Sequence, residues 1–121
     1  MRWDISCHDP TRGRRLAGRV ARADGPISRA RGLLGRAGLE PDQGLWLVPC
    51  RQVHTLFMRF PIDVIFLGRD GRVLRLCREM PPWRVSPWVG GAVSALELAA
   101  GAAGPLAPGD RLEFTRAEEV W

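Results

Sequence analysis

The sequence predicts a mainly β fold, α+β at most, that forms a compact β-sandwich or a barrel-like single domain over residues 1–121. Fourteen glycines and ten prolines divide the chain into short segments, and short runs between turn residues favour strands. An Asp-Gly pair between two β-prone runs indicates a tight hairpin. The alternation of strands and helices that is typical of a doubly wound parallel sheet is absent, which argues against that class.

The first third of the chain contains the one main helix that the pattern predicts, over residues 26–34. Pro26 suits the first turn of this helix, and Gly35 suits the left-handed position after its end. Residues 16–23 alternate loosely between the two faces of an extended chain and predict a first strand. Residues 1–14 precede the patterned part of the sequence and are expected to be flexible.

The middle of the chain contains three segments that favour strands and one clear turn. Residues 44–49 form a short apolar run closed by a proline, which predicts a buried strand. Residues 54–60 predict another strand, ended by Pro61. The runs 62–67 and 72–79 predict the two strands of a hairpin, because the Asp-Gly pair between them can adopt the left-handed conformations of a tight turn.

The last third is predicted to begin with a loop and to end with two strands. Residues 80–88 contain three prolines and two tryptophans, which excludes a regular helix or a central strand and predicts an extended loop held by its indoles. Residues 94–98 favour a strand, and residues 99–103 a turn or short helix. The Pro-Gly-Asp sequence at 108–110 favours a type II turn, and residues 111–115 predict the last strand.

The charge of the chain is +5 at pH 7, and all 18 basic residues are arginine. Residues 1–36 carry nine arginines and three acids, a balance of +6, whereas residues 37–121 carry nine arginines and ten acids, a balance of −1. A solvated arginine-rich surface explains this pattern better than nucleic-acid binding, because no aromatic residues interleave with the arginines. The arginines that would contact nucleic acid are Arg12, Arg14, Arg15, Arg19, Arg22, Arg29 and Arg31.

The three cysteines, Cys7, Cys50 and Cys77, are too few and too widely spaced for a disulfide framework. Cys50 and His54 would lie about 13 Å apart along a strand, so we expect no metal site and no cofactor. No apolar stretch reaches the length of a signal peptide core or of a membrane span. The sequence therefore predicts a cytoplasmic protein without a membrane span.

Residues 54–66 place His54, Arg59 and Asp63 in a run that is otherwise almost wholly apolar. Burial of charge is costly without a partner, so these side chains either form an internal polar network or line a site. Asp63 could accept backbone N–H groups or pair with an arginine, or it could face a ligand as a general base. The second role requires His54 or Glu97 to reach the same cavity, and Glu97 lies between two leucines that point the other way.

The chain contains, in this order, Gly-Leu-Leu-Gly-Arg at 32–36, the runs 44–49 and 54–66, Asp-Gly at 70–71, Leu-Glu-Leu at 96–98 with Gly101, and Pro-Gly-Asp at 108–110. Together these motifs resemble the bacterial and archaeal domain of unknown function family 192. The resemblance spans residues 16–115 and implies a compact, mainly β domain without an established activity. Many relatives have Trp-Met where this chain has Phe57-Met58.

The sequence leaves three functions open and does not decide whether the protein is an enzyme. The favoured one is a non-catalytic binding or assembly module for a protein partner, with Trp83 and Trp88 on the interaction surface. The second is an enzyme or small-ligand protein with one pocket formed by four polar side chains. The third is non-specific nucleic-acid binding through the N-terminal arginines. The candidate pocket or polar network consists of His54, Arg59, Asp63 and Glu97.

Overall fold

A computed structural model describes residues 2–25 and 35–116. The described residues form one seven-stranded sheet with the strand order β5-β4-β6-β3-β2-β1-β7, which confirms the prediction of a mainly β fold. The predicted helix at 26–34 lies outside the described residues. The strands are β1 (Ile5–Asp9), β2 (Arg14–Ala23), β3 (Gln43–Leu47), β4 (Ile62–Leu67), β5 (Val73–Met80), β6 (Ser94–Ala99) and β7 (Glu113–Arg116).

The two edges of the sheet meet, so that the sheet curves towards a barrel. Arg72, just before β5, forms an isolated antiparallel bridge with Arg111, just before β7. The N–H of Val73 donates to the carbonyl of Asp110 at 2.7 Å, and the N–H of Leu112 donates to the carbonyl of Gly71 at 2.9 Å. One corner of the sheet is therefore closed by backbone hydrogen bonds, which leaves less free edge.

Side chains from the two faces of the sheet form two separate cores. In β4, Ile65 and Leu67 belong to the core on the concave side, together with residues of β1 and β2. Ile62, Val64 and Phe66 belong to the second core, on the other face. All six residues of β4 are buried because both faces of this strand are covered. Alternate residues of β4 therefore project into different cores.

The predicted hairpin is confirmed, with β4 and β5 paired antiparallel around a short turn. Asp70 and Gly71 have φ values of 62° and 75°, the left-handed conformation that a tight reversal requires. The predicted turn at 108–110 is also present, with Gly109 at φ 95°. Local turn chemistry therefore sets these two reversals.

The prediction of a strand over residues 54–60 is wrong. His54 forms only an isolated bridge with Val85, and the chain then turns, with the N–H of Met58 donating to the carbonyl of Thr55 at 3.1 Å. Phe57 has φ 65°, which no extended strand contains. Both hydrogen-bonding edges of β4 are occupied by β5 and β6, so this segment packs across a face of the sheet instead of joining it.

Residues 5–9 lie within the segment 1–14 for which the sequence predicts flexibility, and the structure shows a strand there. These residues form β1, which pairs with β2 on one side and β7 on the other. Ile5, Cys7 and Asp9 are buried at alternate positions, and Cys7 is completely inaccessible. Burial of Ile5 and Cys7 in the concave core accounts for the order of this strand.

Candidate functional site

Asp63 is buried in β4 and anchors backbone N–H groups from two other parts of the chain. Its Oδ1 accepts the N–H of Glu79 at 2.8 Å, and its Oδ2 accepts the N–H groups of Gly101 and Ala103 at 3.1 and 3.0 Å. The β4–β5 register shifts at this point, and Glu79 has φ 48°. The carboxylate therefore stabilises a bulge in β5 and the turn that follows β6.

Two arginines hold the same turn from its carbonyl side. Arg14 donates to the carbonyls of Ala102 and Ala103, at 3.3 and 2.6 Å. Arg78 donates to the carbonyls of Gly104, at 2.7 Å, and Leu106. The turn after β6 is thus fixed by one carboxylate and two guanidinium groups, which is the arrangement of a structural polar network.

Glu97 lies on the opposite face of the sheet from Asp63. In the ladder, Glu97 pairs with Val64 and with Leu45, whose side chains belong to the second core. Asp63 pairs instead with Leu98, which belongs to the concave core. Adjacent positions of a strand project from opposite faces, so Asp63 and Glu97 cannot line one cavity.

Burial gives Glu97 an unusual protonation behaviour. The side chain is 4% exposed, and it forms no hydrogen bond within the part of the chain that the structure describes. Desolvation raises the pKa of this carboxyl to about 8. Glu97 is therefore mainly protonated at neutral pH. Its carboxyl lies among apolar side chains and has no hydrogen-bond partner within the described residues.

His54 and Arg59 are exposed and do not contact either acid. The Nδ1 atom of His54 accepts the N–H of Leu56 at 3.2 Å, so this ring nitrogen is used within its own loop. The structure therefore separates the four polar side chains: one is buried on each face of the sheet, and two lie on the outer surface of a loop. It does not bring them together in one pocket.

That loop is half of a hydrogen-bonded structure formed by residues 51–60 and 81–89, here called the paired loops. Hydrogen bonds run from Thr55 N–H to the carbonyl of Arg84, from Ser86 N–H to that of Val53, and from Val89 N–H to that of Arg51, each at 2.8 Å. The side chains of Val53 and Val89 pack into the second core. The paired loops therefore cover one face of the sheet and are fixed to each other by backbone hydrogen bonds.

Thr55 is the central residue of the paired loops, and it is completely buried. Its hydroxyl donates to the carbonyl of Pro81 at 2.6 Å and accepts the N–H of Arg84 at 3.0 Å. Its own carbonyl accepts the N–H groups of Met58 at 3.1 Å and Trp83 at 2.9 Å. The hydroxyl and the carbonyl of Thr55 thereby fix the backbone at the tips of both loops, near Phe57 and near Trp83.

The tips present an exposed pair of aromatic side chains. Phe57 is 68% exposed and Trp83 is 56% exposed, and their ring centroids lie 4.7 Å apart with the planes inclined by 59°. Both residues adopt left-handed backbone conformations, with φ of 65° and 66°. Such conformations cost about 1–3 kcal/mol each in residues with large side chains and concentrate at functional sites.

Two more apolar side chains of the paired loops are exposed, Val85 at 58% and Trp88 at 65%. The sequence predicts that the indoles of residues 80–88 hold the loop in place. In the structure Trp83 and Trp88 are exposed instead, and backbone hydrogen bonds hold the loop. We call Phe57, Trp83, Val85 and Trp88 the aromatic surface. These are four of the five large apolar side chains that are exposed in the described residues.

The aromatic surface has a positive border. Arg51, Arg59 and Arg84 are exposed, as is His54, and residues 51–60 and 81–89 contain no aspartate or glutamate. None of the three arginines forms an ion pair with a carboxylate of the described residues. A surface that combines exposed tryptophan with unpaired arginine has the composition of interface hot spots.

A separate depression of about 330 Å³ lies at the other end of the hairpin, near its turn. Trp46 and Phe114 stack in its wall, with ring centroids 3.9 Å apart and planes inclined by 4°. The indole Nε1 of Trp46 is buried and has no hydrogen-bond partner among the described residues. Because this atom is inaccessible, it cannot bond to a molecule in the depression. The lining includes one carboxylate, that of Asp70, and no nucleophilic cysteine or histidine.

The remaining candidates from the sequence are a metal site, the cysteines and the N-terminal arginines. Within residues 2–25 and 35–116, no three His, Cys, Asp or Glu side chains lie close enough to hold a metal ion. Burial raises the pKa of the Cys7 thiol to about 12, which keeps it protonated and unreactive. Arg12 donates to both Asp9 and Asp110, at 3.0 and 2.7 Å.

Sequence reasoning missed Phe57 and Thr55 as candidate functional residues. Alternation along residues 54–60 places Phe57 on one face of a strand, so its exposure is hidden by the wrong secondary structure. No local signal identifies Thr55 either, because its partners lie about 30 residues away. The two prolines and the tryptophan at 81–83 were the only indication that an irregular loop could impose its geometry on a neighbour.

Comparison with known proteins gives one family. The model of the family DUF192, described as "Uncharacterized ACR", matches residues 8–114. A search of curated proteins gives no match. No helix among the described residues has the length and apolar character that crossing a membrane requires.

Two solved structures share the fold. A protein of unknown function from Novosphingobium aromaticivorans DSM 12444 is 26% identical, with a TM-score of 0.79, and the match covers 91% of this chain and 83% of that chain. A protein from Sinorhizobium meliloti 1021, described as a "putative transcription regulator", is 25% identical, with a TM-score of 0.75 and 91% of both chains covered. These matches support the mainly β fold and leave the activity open.

Proposed function

The chain belongs to the uncharacterised DUF192 family, and we propose that it is a non-catalytic binding module that recognises a protein partner through its aromatic surface. The observation that carries this proposal is the Phe57–Trp83 pair, which is exposed although both residues have strained backbones. A ring that served only to stabilise the fold would be expected in the core. Strain at an exposed pair is better explained by its use in binding.

The paired loops supply the preorganisation that such a surface needs. Binding is weakened by the entropy lost when side chains and loops become ordered. Here the loops are already fixed by backbone hydrogen bonds and by the buried hydroxyl of Thr55. Phe57, Trp83 and Trp88 can therefore contribute buried area at a low entropic cost, as aromatic anchors do at interfaces.

An enzyme with one pocket formed by His54, Arg59, Asp63 and Glu97 has less support. Asp63 uses both oxygens to bind backbone N–H groups, and Glu97 lies on the other face of the sheet. General acid–base chemistry needs the participating groups within hydrogen-bond distance of one substrate. His54 and Arg59 are exposed in the first of the paired loops and lie close in sequence to Phe57 of the aromatic surface.

Nucleic-acid binding has one independent argument in its favour, the description of the Sinorhizobium meliloti relative as a "putative transcription regulator". The N-terminal arginines of this chain give it little support. Arg12 is paired with two aspartates, and Arg14 holds the turn after β6. Guanidinium groups that are already bonded within the protein are less available to phosphates.

The proposal is tested by selecting random 12-residue peptides on the immobilised protein and on a double variant, Phe57→Asn with Trp83→Asn. Asparagine tolerates left-handed backbone conformations, so the variant loses both rings without added backbone strain. We expect its free energy of unfolding to stay within about 1 kcal/mol of the original, because relief of strain offsets loss of the ring contact.

The selected peptides should bind the original protein at least tenfold more tightly than the double variant. Asp70→Asn is the matched control, because Asp70 is exposed, has φ 62° and lies at the other end of β5. Binding should be unchanged in this control. Failure to select any peptide, or equal binding to the original and to the double variant, would refute the proposed function.

A further inference from the structure

We propose that the partner of the aromatic surface is an extended, acidic protein segment that places an apolar side chain against Phe57 and Trp83 and its carboxylates near Arg59 and Arg84. This inference rests on the proposed function and specifies the chemistry of the partner. Three observations on the paired loops support it: their charge, the inclination of the two rings, and the free backbone groups along their edges.

The first observation is charge complementarity. Some exposed arginines of the described chain, such as Arg2, Arg15 and Arg22, are ion-paired, whereas others, Arg69 and Arg111 among them, are not. Arg59 and Arg84 have no such pair and lie two residues and one residue from the exposed rings. Glu79 lies two residues before the second loop, but the paired loops themselves carry three arginines and no carboxylate, so their net charge is positive and favours an acidic partner.

The second observation is the shape of the aromatic pair. The rings of Phe57 and Trp83 are inclined by 59° at a centroid distance of 4.7 Å. Two rings in contact at this angle present an angled apolar surface rather than a flat platform. One base can stack on a single ring face, but the two inclined rings together suit one aliphatic or aromatic side chain better than a run of parallel bases.

The third observation concerns the backbone at the isolated bridge of His54 and Val85. The neighbouring residues use their N–H and carbonyl groups to join the two loops, while the N–H and carbonyl groups of His54 and Val85 form no backbone hydrogen bond within the described residues. These groups face outwards on the two edges of the loop ladder. An extended peptide can satisfy them by adding alongside, as in strand addition to a sheet edge.

The free backbone groups also argue against a membrane as the occupant. Insertion of the rings into lipid would bring the outward N–H and carbonyl groups of His54 and Val85 towards a region without hydrogen-bond partners, which is costly. A protein segment supplies those partners together with the carboxylates. The same residues thus favour a peptide over both lipid and single-stranded nucleic acid.

The test compares two charge-reversal double variants with the same change in net charge. Arg59→Glu with Arg84→Glu changes the border of the aromatic surface. Arg69→Glu with Arg111→Glu is the matched control, because both arginines are exposed near the start of β5. The paired loops lie at the other end of this strand, about 23 Å away by strand geometry. The probes are the peptides selected on the original protein, vesicles with 30% phosphatidylserine, and a 20-residue oligo-dT.

We expect the selected peptides to be enriched in aspartate and glutamate around one large apolar residue. Their affinity should fall at least tenfold in Arg59→Glu/Arg84→Glu, stay within twofold in the control, and weaken as NaCl rises from 50 to 500 mM. Selected peptides without acidic enrichment, or equal losses in the two double variants, would overturn the inference. So would tighter binding to the vesicles or to oligo-dT.

The outcomes separate this inference from the function on which it rests. Neutral or basic peptides that bind the original protein and not the Phe57→Asn/Trp83→Asn variant would leave the binding module standing and refute the acidic partner. The absence of any selected peptide would refute both. Acidic peptides that bind equally well without the two rings would refute the aromatic surface as the site, and with it the partner proposed for that site.

Discussion

Replacement of Asp63 by asparagine tests whether this carboxylate is a structural anchor. The side chain is 1% exposed, and its two oxygens accept three backbone N–H groups. Asparagine has nearly the same shape but only one acceptor oxygen, and its NH₂ group must face at least one N–H donor. Each buried donor left without an acceptor costs about 1–3 kcal/mol, and contact between two donors adds to that cost.

We therefore expect Asp63→Asn to lower the free energy of unfolding by about 2–4 kcal/mol. Equilibrium unfolding in urea, followed by far-UV circular dichroism, measures this loss directly. Asp70→Asn is the control, because it makes the same chemical change at an exposed turn residue and should cost less than about 0.5 kcal/mol. A loss below about 1 kcal/mol for Asp63→Asn would refute the anchoring role.

Two further predictions concern buried and tightly packed positions. The folded-state pKa of Glu97, about 8, lies above its unfolded value. Between about pH 4.5 and 8 the folded protein therefore binds more protons than the unfolded chain does. Its free energy of unfolding falls by up to about 1.4 kcal/mol per pH unit as the pH rises through this range. In Glu97→Gln this dependence should flatten, which urea unfolding at pH 5 and pH 8 would show; an unchanged slope would contradict it. Gly71 has φ +75°, and a Cβ there would lie 2.3 Å from the carbonyl oxygen of Leu112. Gly101 has φ +88°, but a Cβ there would meet nothing within 4 Å among the described residues beyond its chain neighbours. Gly71→Ala should therefore lower the free energy of unfolding by at least about 2 kcal/mol more than Gly101→Ala does. Thermal unfolding of both variants measures the difference, and equal losses would contradict the predicted clash.

The parts of the fold that depend on local chemistry could be predicted from the sequence. The Asp70-Gly71 turn needs only two adjacent residues that tolerate left-handed conformations, and the β4–β5 hairpin follows from it. The alternation along β4 assigns its residues to two faces without knowledge of the neighbouring strands. These features depend on contacts between residues close in the chain or on a simple periodicity.

The parts that depend on distant contacts could not be predicted. Residues 54–60 are apolar enough for a strand, but the hydrogen bonds of Thr55 to Pro81 and Arg84 impose a turn there. The opposite orientations of Asp63 and Glu97 require the register between β4 and β6, which no single segment reveals. Of the two candidate sites that the sequence predicts, the cluster of four polar side chains is separated in the structure, whereas the candidate surface with Trp83 and Trp88 gains Phe57.

The place of β1 in the sheet has a consequence for the order in which the domain forms. Ile5 pairs with Arg116, so this contact joins residues more than 100 positions apart in the chain. During synthesis, β1 can pair with β2 early, but its other edge stays open until β7 has left the ribosome. Contacts of such long range slow folding and expose unpaired strands to other chains, so the newly made protein should be most prone to aggregate just before its last strand emerges.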